Sequence, residues 1–129
     1  MPVPSSQLVT AQKLDWRRLG GLQPYQILVD KMETTVASIR QDGANEAVWL
    51  LEHYPTYTGG TSARDEDLLT PGTVPCIHVG RGGQWTWHGP GQRVAYVMLD
   101  LNRRGKDVRS LLHGLEDWII ASLGQFGVE

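Results

Sequence analysis

The residues best suited to chemistry lie close together, in a glycine-rich stretch from Gly80 to Tyr96. The stretch contains five glycines, two tryptophans, two arginines and one histidine. Arg81 precedes Gly82-Gly83, so a cation lies beside backbone N–H groups that no side chain shields, an arrangement that suits a carboxylate or a phosphate. Glycine loses the most backbone entropy on folding. The run therefore indicates positive φ angles, or a backbone that lies against a ligand.

The next five residues have the alternation of a β-strand. Side chains two apart in a strand share a face. Trp85 and Trp87 are therefore predicted on one face, and Gln84, Thr86 and His88 on the other. His88 is then placed to hydrogen-bond a carbonyl group of a ligand or to shape a pocket; the alternative is a structural histidine bonded to backbone.

The turn Gly89-Pro90-Gly91 leads into a second strand-like run that ends at Leu101. A simpler interpretation of the whole stretch is therefore a tight β-hairpin with aromatic cover. The residue pattern by itself does not separate this hairpin from a binding loop.

Two further groupings are candidates for chemical sites. Cys76 and His78 share a face if both lie in a strand, and a thiolate–imidazole pair would be a nucleophile. A lone cysteine is more often a small buried hydrophobe, which is the interpretation favoured here. His53, His78 and His88 with Glu52 match no dense ligand motif, so neither a metal site nor any other cofactor is predicted.

Charge argues against nucleic acid as a partner. RNA-binding RGG boxes repeat and lie in basic, disordered chain, whereas this chain has one such triplet and a formal net charge of −2. A small basic turn, Arg103-Arg104 with Lys106, is either solvated or a docking point for an acidic protein.

Length and composition predict a single domain over residues 1–129. No apolar run approaches the ~20 residues that a membrane span requires. The N-terminus lacks the basic and apolar regions of a signal peptide, and residues 1–13 are expected to form a loose arm. One cysteine cannot form an internal disulfide, which favours a reducing cytoplasm.

Two helices are predicted around this stretch. Residues 24–41 carry an apolar stripe at three- and four-residue spacing, with Pro24 in the first turn and Gly43 as a left-handed cap. The stripe is interpreted as core packing and consists of Tyr25, Leu28, Val29, Met32, Val36 and Ile39. Residues 107–126 form the second helix, with Asp107 as N-cap and Gly127 at its end.

Strands are predicted at 14–19, where Gly20-Gly21 ends the strand, at 47–51, at 76–79 and at 94–101. The run 47–51 is apolar throughout, as in a strand buried on both faces. Residues 54–74 are expected to be irregular apart from one short turn near Asp65–Leu69. This order predicts an α+β fold, a mixed β-sheet with both helices packed on the same face.

The glycine-rich stretch resembles the signature of the lipoyl(octanoyl) protein transferases, the octanoyltransferases of lipoate biosynthesis. That signature has the form R-G-G-x-x-T-aromatic-H, then G-P-G-Q, a hydrophobic residue and a nearby tyrosine. The matching residues are Arg81, Gly82, Gly83, Thr86, Trp87, His88, Gly89, Pro90, Gly91, Gln92, Val94 and Tyr96. A second block, Trp49–Thr61, resembles the family's E-H-x-P-x-Y-T-x-G segment, although Tyr54 stands where proline is usual and Gly59 where alanine is usual.

The resemblance implies the mixed-sheet fold of the biotin and lipoate protein ligases. It implies transfer of an octanoyl group from acyl carrier protein to a lysine of lipoyl domains, those of 2-oxoacid dehydrogenases and of the glycine-cleavage carrier protein. The segment from Arg81 to His88 would contact substrate, namely Arg81, Gly82, Gly83, Gln84, Trp85, Thr86, Trp87 and His88.

The resemblance also implies a later cysteine nucleophile and a lysine that lowers its pKa. Neither has a counterpart here, since Cys76 precedes the signature and Lys106 precedes the second helix. The expectation is therefore the N-terminal portion of such an enzyme, inactive as an isolated chain, with an exposed sheet flank. The alternatives are an ATP-dependent lipoate or biotin protein ligase-like domain and a degenerate, non-catalytic fragment.

Overall fold

The computed structural model describes residues 14–105 and 107–128. The chain forms two compact units, of which the first ends at Leu99 and the second begins at Asp100. The loose arm predicted for residues 1–13 lies outside the described residues. The prediction of one domain over the whole chain stays a prediction.

Six strands and two α-helices make up the described residues. In chain order they are β1 (Leu14–Gln23), α1 (Tyr25–Gln41), β2 (Glu46–His53), β3 (Thr56–Gly59), β4 (Cys76–His78), β5 (Trp85–His88), β6 (Val94–Met98) and α2 (Val108–Gly124). Two short 3-10 helices lie at Asp65–Asp67, where a short turn was predicted, and at Leu101–Arg104.

The first sheet has the order β1-β2-β6, with β2 in the centre. β2 runs parallel to β1 and antiparallel to β6, so the sheet is mixed. Six of its eight residues are buried, which confirms the strand predicted to be covered on both faces. The mixed sheets and the helices give the α+β class that the sequence predicts.

The glycine pair in β1 does not end the strand, and that prediction was wrong. The strand continues to Gln23, and the register with β2 shifts between Arg18 and Leu22. Gly21 absorbs this irregularity at φ 71°, a backbone conformation that glycine adopts without steric cost.

Helix α1 packs the predicted apolar stripe against this sheet. Pro24 is its N-cap and its carbonyl accepts the N–H of Leu28. Gly43 follows the C-terminus at φ 68°, as predicted. The core cluster consists of Leu28, Ile39, Ala47, Trp49, Leu51 and Met98.

Two members of the stripe are not core residues. Val36 is exposed at 39%. Tyr25 lies against two histidine rings instead of the apolar core. Interpretation of the whole stripe as core packing was therefore wrong at these two positions.

The second sheet has the order β4-β3-β5 and lies in the same unit as the first. Its central strand, β3, falls inside the segment predicted to be irregular, so that prediction was wrong there. β5 pairs with β3, and β6 pairs with β2. The turn Gly89-Pro90-Gly91 therefore leads the chain from one sheet to the other, and the tight hairpin does not form.

Strand β6 ends at Met98, earlier than predicted, because residues 101–104 turn into a 3-10 helix capped by Asp100. In the second unit, Asp107 caps α2 by accepting the N–H of Ser110 at 3.0 Å, as predicted. Packing of both helices on one sheet face stays a prediction. Within residues 14–105 and 107–128, no helix is long and apolar enough to cross a membrane.

Candidate functional site

Two glycine-rich loops join at the end of the second sheet. The loop after β3, residues 60–62, donates backbone hydrogen bonds to the loop before β5, residues 81–84. The three bonds are Gly60 N–H to Gln84 O at 3.2 Å, Thr61 N–H to Arg81 O at 2.8 Å, and Ser62 N–H to Gly83 O at 3.1 Å. Residues 81–84 are thus held to the loop after β3 by three main-chain hydrogen bonds.

Glycine at position 60 is required by this contact. A Cβ on Gly60 would lie 2.7 Å from the carbonyl carbon of Gly82, and would meet the carbonyl oxygens of Gly82 and Gly83 closer still. These are backbone atoms, so a change of side-chain rotamer cannot relieve the clash. Position 83 also requires glycine, because the φ of Gly83 is 91°, a backbone conformation that other residues rarely adopt.

The Arg81 guanidinium binds the protein's own oxygens. Its Nη1 donates to the carbonyls of Gly82 at 2.9 Å and Gln84 at 3.1 Å. Its Nη2 donates to the carbonyl of Thr58 at 2.8 Å and to the Thr58 hydroxyl at 2.9 Å. The side chain predicted to pair with a carboxylate or phosphate instead ties the loop to β3.

Both ring nitrogens of His88 are also engaged. Its Nε2 lies 3.2 Å from the hydroxyl of Thr58, and its Nδ1 lies 3.2 Å from Oε1 of Gln92. Direct bonding of a ligand carbonyl would break one of these contacts. Both predicted roles of His88, bonding a ligand carbonyl and shaping a pocket, stay predictions.

His53 stands beside His88 and has a similar pair of partners. It has no exposed surface. Its Nδ1 lies 2.9 Å from the Gln23 carbonyl, and its Nε2 lies 2.7 Å from the Tyr96 hydroxyl. Because a carbonyl only accepts, Nδ1 carries the hydrogen and the Tyr96 hydroxyl donates to Nε2.

Four rings pack together into what we call the ring cluster: Tyr25, His53, His88 and Tyr96. Tyr25 stacks on His88 with centroids 5.9 Å apart and tilts against His53 at 5.2 Å. The two imidazoles meet edge to face at 5.8 Å. The cluster draws on α1, β2, β5 and β6, so residues far apart in sequence form one surface.

Burial sets the ionisation of this cluster. It lowers the pKa of His88 against the opposing hydrogen bond from Gln92, and the nearby His53 and the Arg81 guanidinium lower this pKa further. Burial raises the pKa of Tyr96 to about 12, with a smaller contribution from Tyr25. Burial also raises the pKa of Tyr25, although Arg81 opposes this. Near neutral pH the cluster therefore holds uncharged tyrosines and an uncharged His88.

The turn between the sheets is bound to β2. The carboxylate of Glu52 accepts the backbone N–H of Gly91, and Gly91 has a φ of 86°. A Cβ on Gly89 would collide with the indole of Trp87. These contacts hold His88 at the end of β5 opposite His53 at the end of β2.

The tryptophans lie apart from the ring cluster. Trp85 donates its indole N–H to the Arg64 carbonyl at 2.9 Å and packs on His78 at 4.9 Å. Trp87 is 40% exposed. The antiparallel register pairs Thr86 with Thr58 and Trp87 with Tyr57. This pairing accords with the predicted alternation of faces.

Cys76 is exposed, so the prediction that it is buried was wrong. Its thiol donates to the Val74 carbonyl at 3.4 Å. His78 bonds the carboxylate of Asp65 instead of this thiol. Across the described residues, no group of three or more His, Cys, Asp or Glu side chains is arranged to hold a metal ion.

Sequence reasoning identified the glycine-rich loop but missed most of the surrounding cluster. Arg81 and His88 meet through Thr58, which the sequence marks only as part of a longer motif. Tyr25 was predicted to belong to the core. The sequence feature that could have indicated the cluster was His53, a polar residue close to the end of the strand predicted at 47–51.

Comparison with known proteins defines the class first. A family described as the lipoyl protein ligase A/B catalytic domain matches residues 24–129, and the chain belongs to this family. The match includes α1, both sheets from β2 onward and the ring cluster.

Curated relatives narrow the comparison further. The chain is 60% identical over 116 residues to an octanoyltransferase of Cereibacter sphaeroides, covering 90% of this chain and 53% of the relative. It is 53% identical over 121 residues to an octanoyltransferase of Maricaulis maris, covering 94% and 54%. An octanoyltransferase of Brucella melitensis is 51% identical over 123 residues, covering 95% and 47%. The chain spans about half the length of these relatives.

Proposed function

We propose that this chain serves octanoyl transfer from acyl carrier protein to a lysine of lipoyl domains, as part of an octanoyltransferase. The observation that carries the proposal is the ring cluster, with its uncharged tyrosines and His88, beside the 81–84 loop in a member of this family. The name shared by relatives of 51–60% identity gives the acyl group. The lipoyl domains proposed as acceptors are those of 2-oxoacid dehydrogenases and the glycine-cleavage carrier protein.

The site residues bind and orient; they do not attack. Both nitrogens of His88 and of His53 are bonded to protein groups. The Arg81 guanidinium is bonded to carbonyls of its own loop. What remains toward a ligand is aromatic and imidazole surface together with loop backbone from Arg81 to His88. Such a surface suits an alkyl chain and a thioester, and holding them in place lowers the barrier by proximity.

A binding experiment tests the assignment. Octanoyl-pantetheine, a small thioester with the carrier's prosthetic arm, is titrated while unfolding of the chain is followed. We expect saturable stabilisation without nucleotide. Stabilisation that requires ATP would instead assign the chain to the ligase branch, and no stabilisation by either would leave a non-catalytic relative.

A matched pair of variants ties this binding to the ring cluster. His88→Gln alters the cluster, whereas His113→Gln alters an exposed histidine on α2 whose partner is Glu116. We expect the first to weaken octanoyl-pantetheine binding and the second to leave it unchanged. Equal affinities for the two variants would contradict the placement of the site.

We also propose that the 129-residue chain transfers no octanoyl group by itself. Acyl transfer needs a thiolate that displaces the carrier thiol from the thioester carbonyl. Cys76 is the one cysteine of the chain, and its thiol faces the Val74 carbonyl. Incubation with octanoyl-acyl carrier protein should leave its mass unchanged. A stoichiometric adduct on Cys76 that passes to a lipoyl-domain lysine would overturn this.

The proposed compartment is the cytoplasm. The single cysteine requires no oxidising environment, and the proposed carrier and acceptor proteins meet the enzyme there.

Arg103 on the 3-10 helix pairs with Asp100 at 3.5 Å. Docking of an acidic carrier at this basic turn is a prediction that mutation of Arg104 would test.

A further inference from the structure

The hydroxyl of Thr58 lies between the two functional side chains of the site. Thr58 has no exposed surface. Its Oγ1 is 2.9 Å from Nη2 of Arg81 and 3.2 Å from Nε2 of His88. A guanidinium has only donors, so Oγ1 accepts from Arg81. The single hydroxyl hydrogen finds an acceptor in Nε2 of His88 when that nitrogen carries no hydrogen.

The opposite side of the imidazole leads to the same assignment. Gln92 donates through Nε2 to the Trp87 carbonyl at 3.0 Å. This bond orients the amide so that its oxygen, Oε1, faces Nδ1 of His88 at 3.2 Å. An amide oxygen only accepts, so Nδ1 carries the hydrogen. The Gln92 amide thus specifies the Nδ1–H tautomer, and the Thr58 hydroxyl supplies the donor that an unprotonated Nε2 accepts.

A protonated His88 does not fit this network. Its Nε2–H would be a second donor aimed at the Thr58 hydroxyl, whose own hydrogen would lose its acceptor. The groups that face the ring are Arg81 from the loop, His53 from β2 and Tyr25 from α1. The guanidinium is a fixed positive charge, and the tyrosine offers none that is negative near neutral pH. The surroundings therefore favour the uncharged ring.

We propose that Thr58 is the positioning residue that holds His88 in its Nδ1–H tautomer and keeps it uncharged. The proposal deepens the proposed function, on which its final step rests: an uncharged imidazole beside Tyr25 leaves the cluster suited to a neutral acyl thioester. The tautomer itself follows from the hydrogen bonds and requires no ligand.

The tautomer is read from the ¹⁵N shifts of the histidine rings in the whole chain, followed as pH is lowered. The sequence has four histidines, so His88 is assigned by comparison with His88→Gln. Three variants are measured beside the wild type. Thr58→Val removes the hydroxyl at nearly constant volume, and Thr58→Ser restores it. Thr35→Val removes a hydroxyl bonded to the Lys31 carbonyl on α1, and is the matched control.

We expect the Nδ1–H tautomer in the wild type, Thr58→Ser and Thr35→Val, with a pKa of His88 below its ordinary value. Thr58→Val should show a mixture of tautomers and a titration moved upward. An Nε2–H tautomer in the wild type would overturn the proposal, and this result needs no variant to fold. An unchanged tautomer and titration in folded Thr58→Val would also overturn it.

Binding of octanoyl-pantetheine is measured separately on the same variants. Loss of one positioning hydrogen bond should weaken affinity about fivefold to tenfold in Thr58→Val, with recovery in Thr58→Ser. If no variant, nor the wild type, binds the thioester, the proposed function fails while the tautomer result stands. If all bind equally, the role assigned to Thr58 fails while the proposed function stands.

Discussion

Replacing Gly60 with alanine tests whether the two glycine-rich loops depend on each other. The added Cβ would lie within 2.7 Å of the Gly82 carbonyl carbon. Relief requires the loop of residues 81–84 to move away from β3. That movement lengthens the Gly60-to-Gln84 and Thr61-to-Arg81 backbone bonds, which are 3.2 Å and 2.8 Å.

The expected loss of stability has three contributions. Overpacking a filled position costs about 1–3 kcal/mol. Each of the two backbone bonds contributes about 1 kcal/mol if it is lost. Alanine lowers the conformational entropy of the unfolded chain, and this stabilises the folded state by about 0.4–1 kcal/mol. With both bonds lost, the free energy of unfolding should therefore fall by about 2–5 kcal/mol.

Gly80→Ala is the matched control. Gly80 lies in the neighbouring segment, a Cβ added to it would meet no atom within 4 Å, and its φ is not positive. The only contribution left is the lower conformational entropy of the unfolded chain, so this variant should be as stable as the wild type or slightly more stable. Equilibrium urea unfolding measures both, with the denaturant slope checked for constancy. A Gly60→Ala variant within about 0.5 kcal/mol of Gly80→Ala would refute the loop contact.

Three further results are expected. Leu51→Ala, at a position with no exposed surface, should lower the free energy of unfolding by about 2–5 kcal/mol in urea, whereas Ile27→Ala on the exposed side of α1 should change it little. Asp107→Ala removes the N-cap of α2 and should lower the stability of this helix by about 1 kcal/mol, as measured by amide hydrogen exchange. Asp107→Asn keeps a capping side chain and should retain the stability of the wild type. Because folding raises the pKa of Tyr96 to about 12, the tyrosine loses its proton at a lower pH in the unfolded chain than in the folded one. Stability should fall as pH rises from about 10 to 12, and less steeply in Tyr96→Phe.

The helices could be predicted because their signals are local. Residues 24–41 differ from the observed α1 by one residue, with Pro24 and Gly43 at the predicted ends. Asp107 likewise begins α2 with the hydrogen bond that an N-cap makes. Spacing and capping residues lie within a few positions of what they specify, so a single sequence is enough.

The strand pairing could not be predicted, because it depends on distant partners. Gly89-Pro90-Gly91 permits a turn but does not decide whether β5 and β6 pair with each other. β5 pairs with β3, which is only four residues long and lies between glycine- and proline-rich segments. Thr56, Tyr57 and Thr58 are residue types that favour strands, but three such residues are too short a run to establish a strand before its neighbours on both sides are known.

The site was predicted in its residue types more than in its contacts. Arg81 was expected to offer its charge to a ligand, and the structure shows Nη1 and Nη2 bonded to carbonyls and to Thr58, which lies 23 positions earlier in the chain. The arginine–glycine triplet is compatible with either arrangement. Only the position of β3 decides between them.

The two histidines of the ring cluster bear on the uncharged ligand proposed for this site. In each ring Nδ1 faces an oxygen that can only accept, Gln23 O or Gln92 Oε1. In each ring Nε2 faces a hydroxyl, that of Tyr96 or that of Thr58. The same tautomer is therefore specified twice, by residues from different strands. Nη1 and Nη2 of Arg81 are also bonded to protein oxygens. The charge of Arg81 is therefore directed largely at the protein itself, whereas the acyl chain proposed as ligand would meet a packed aromatic surface.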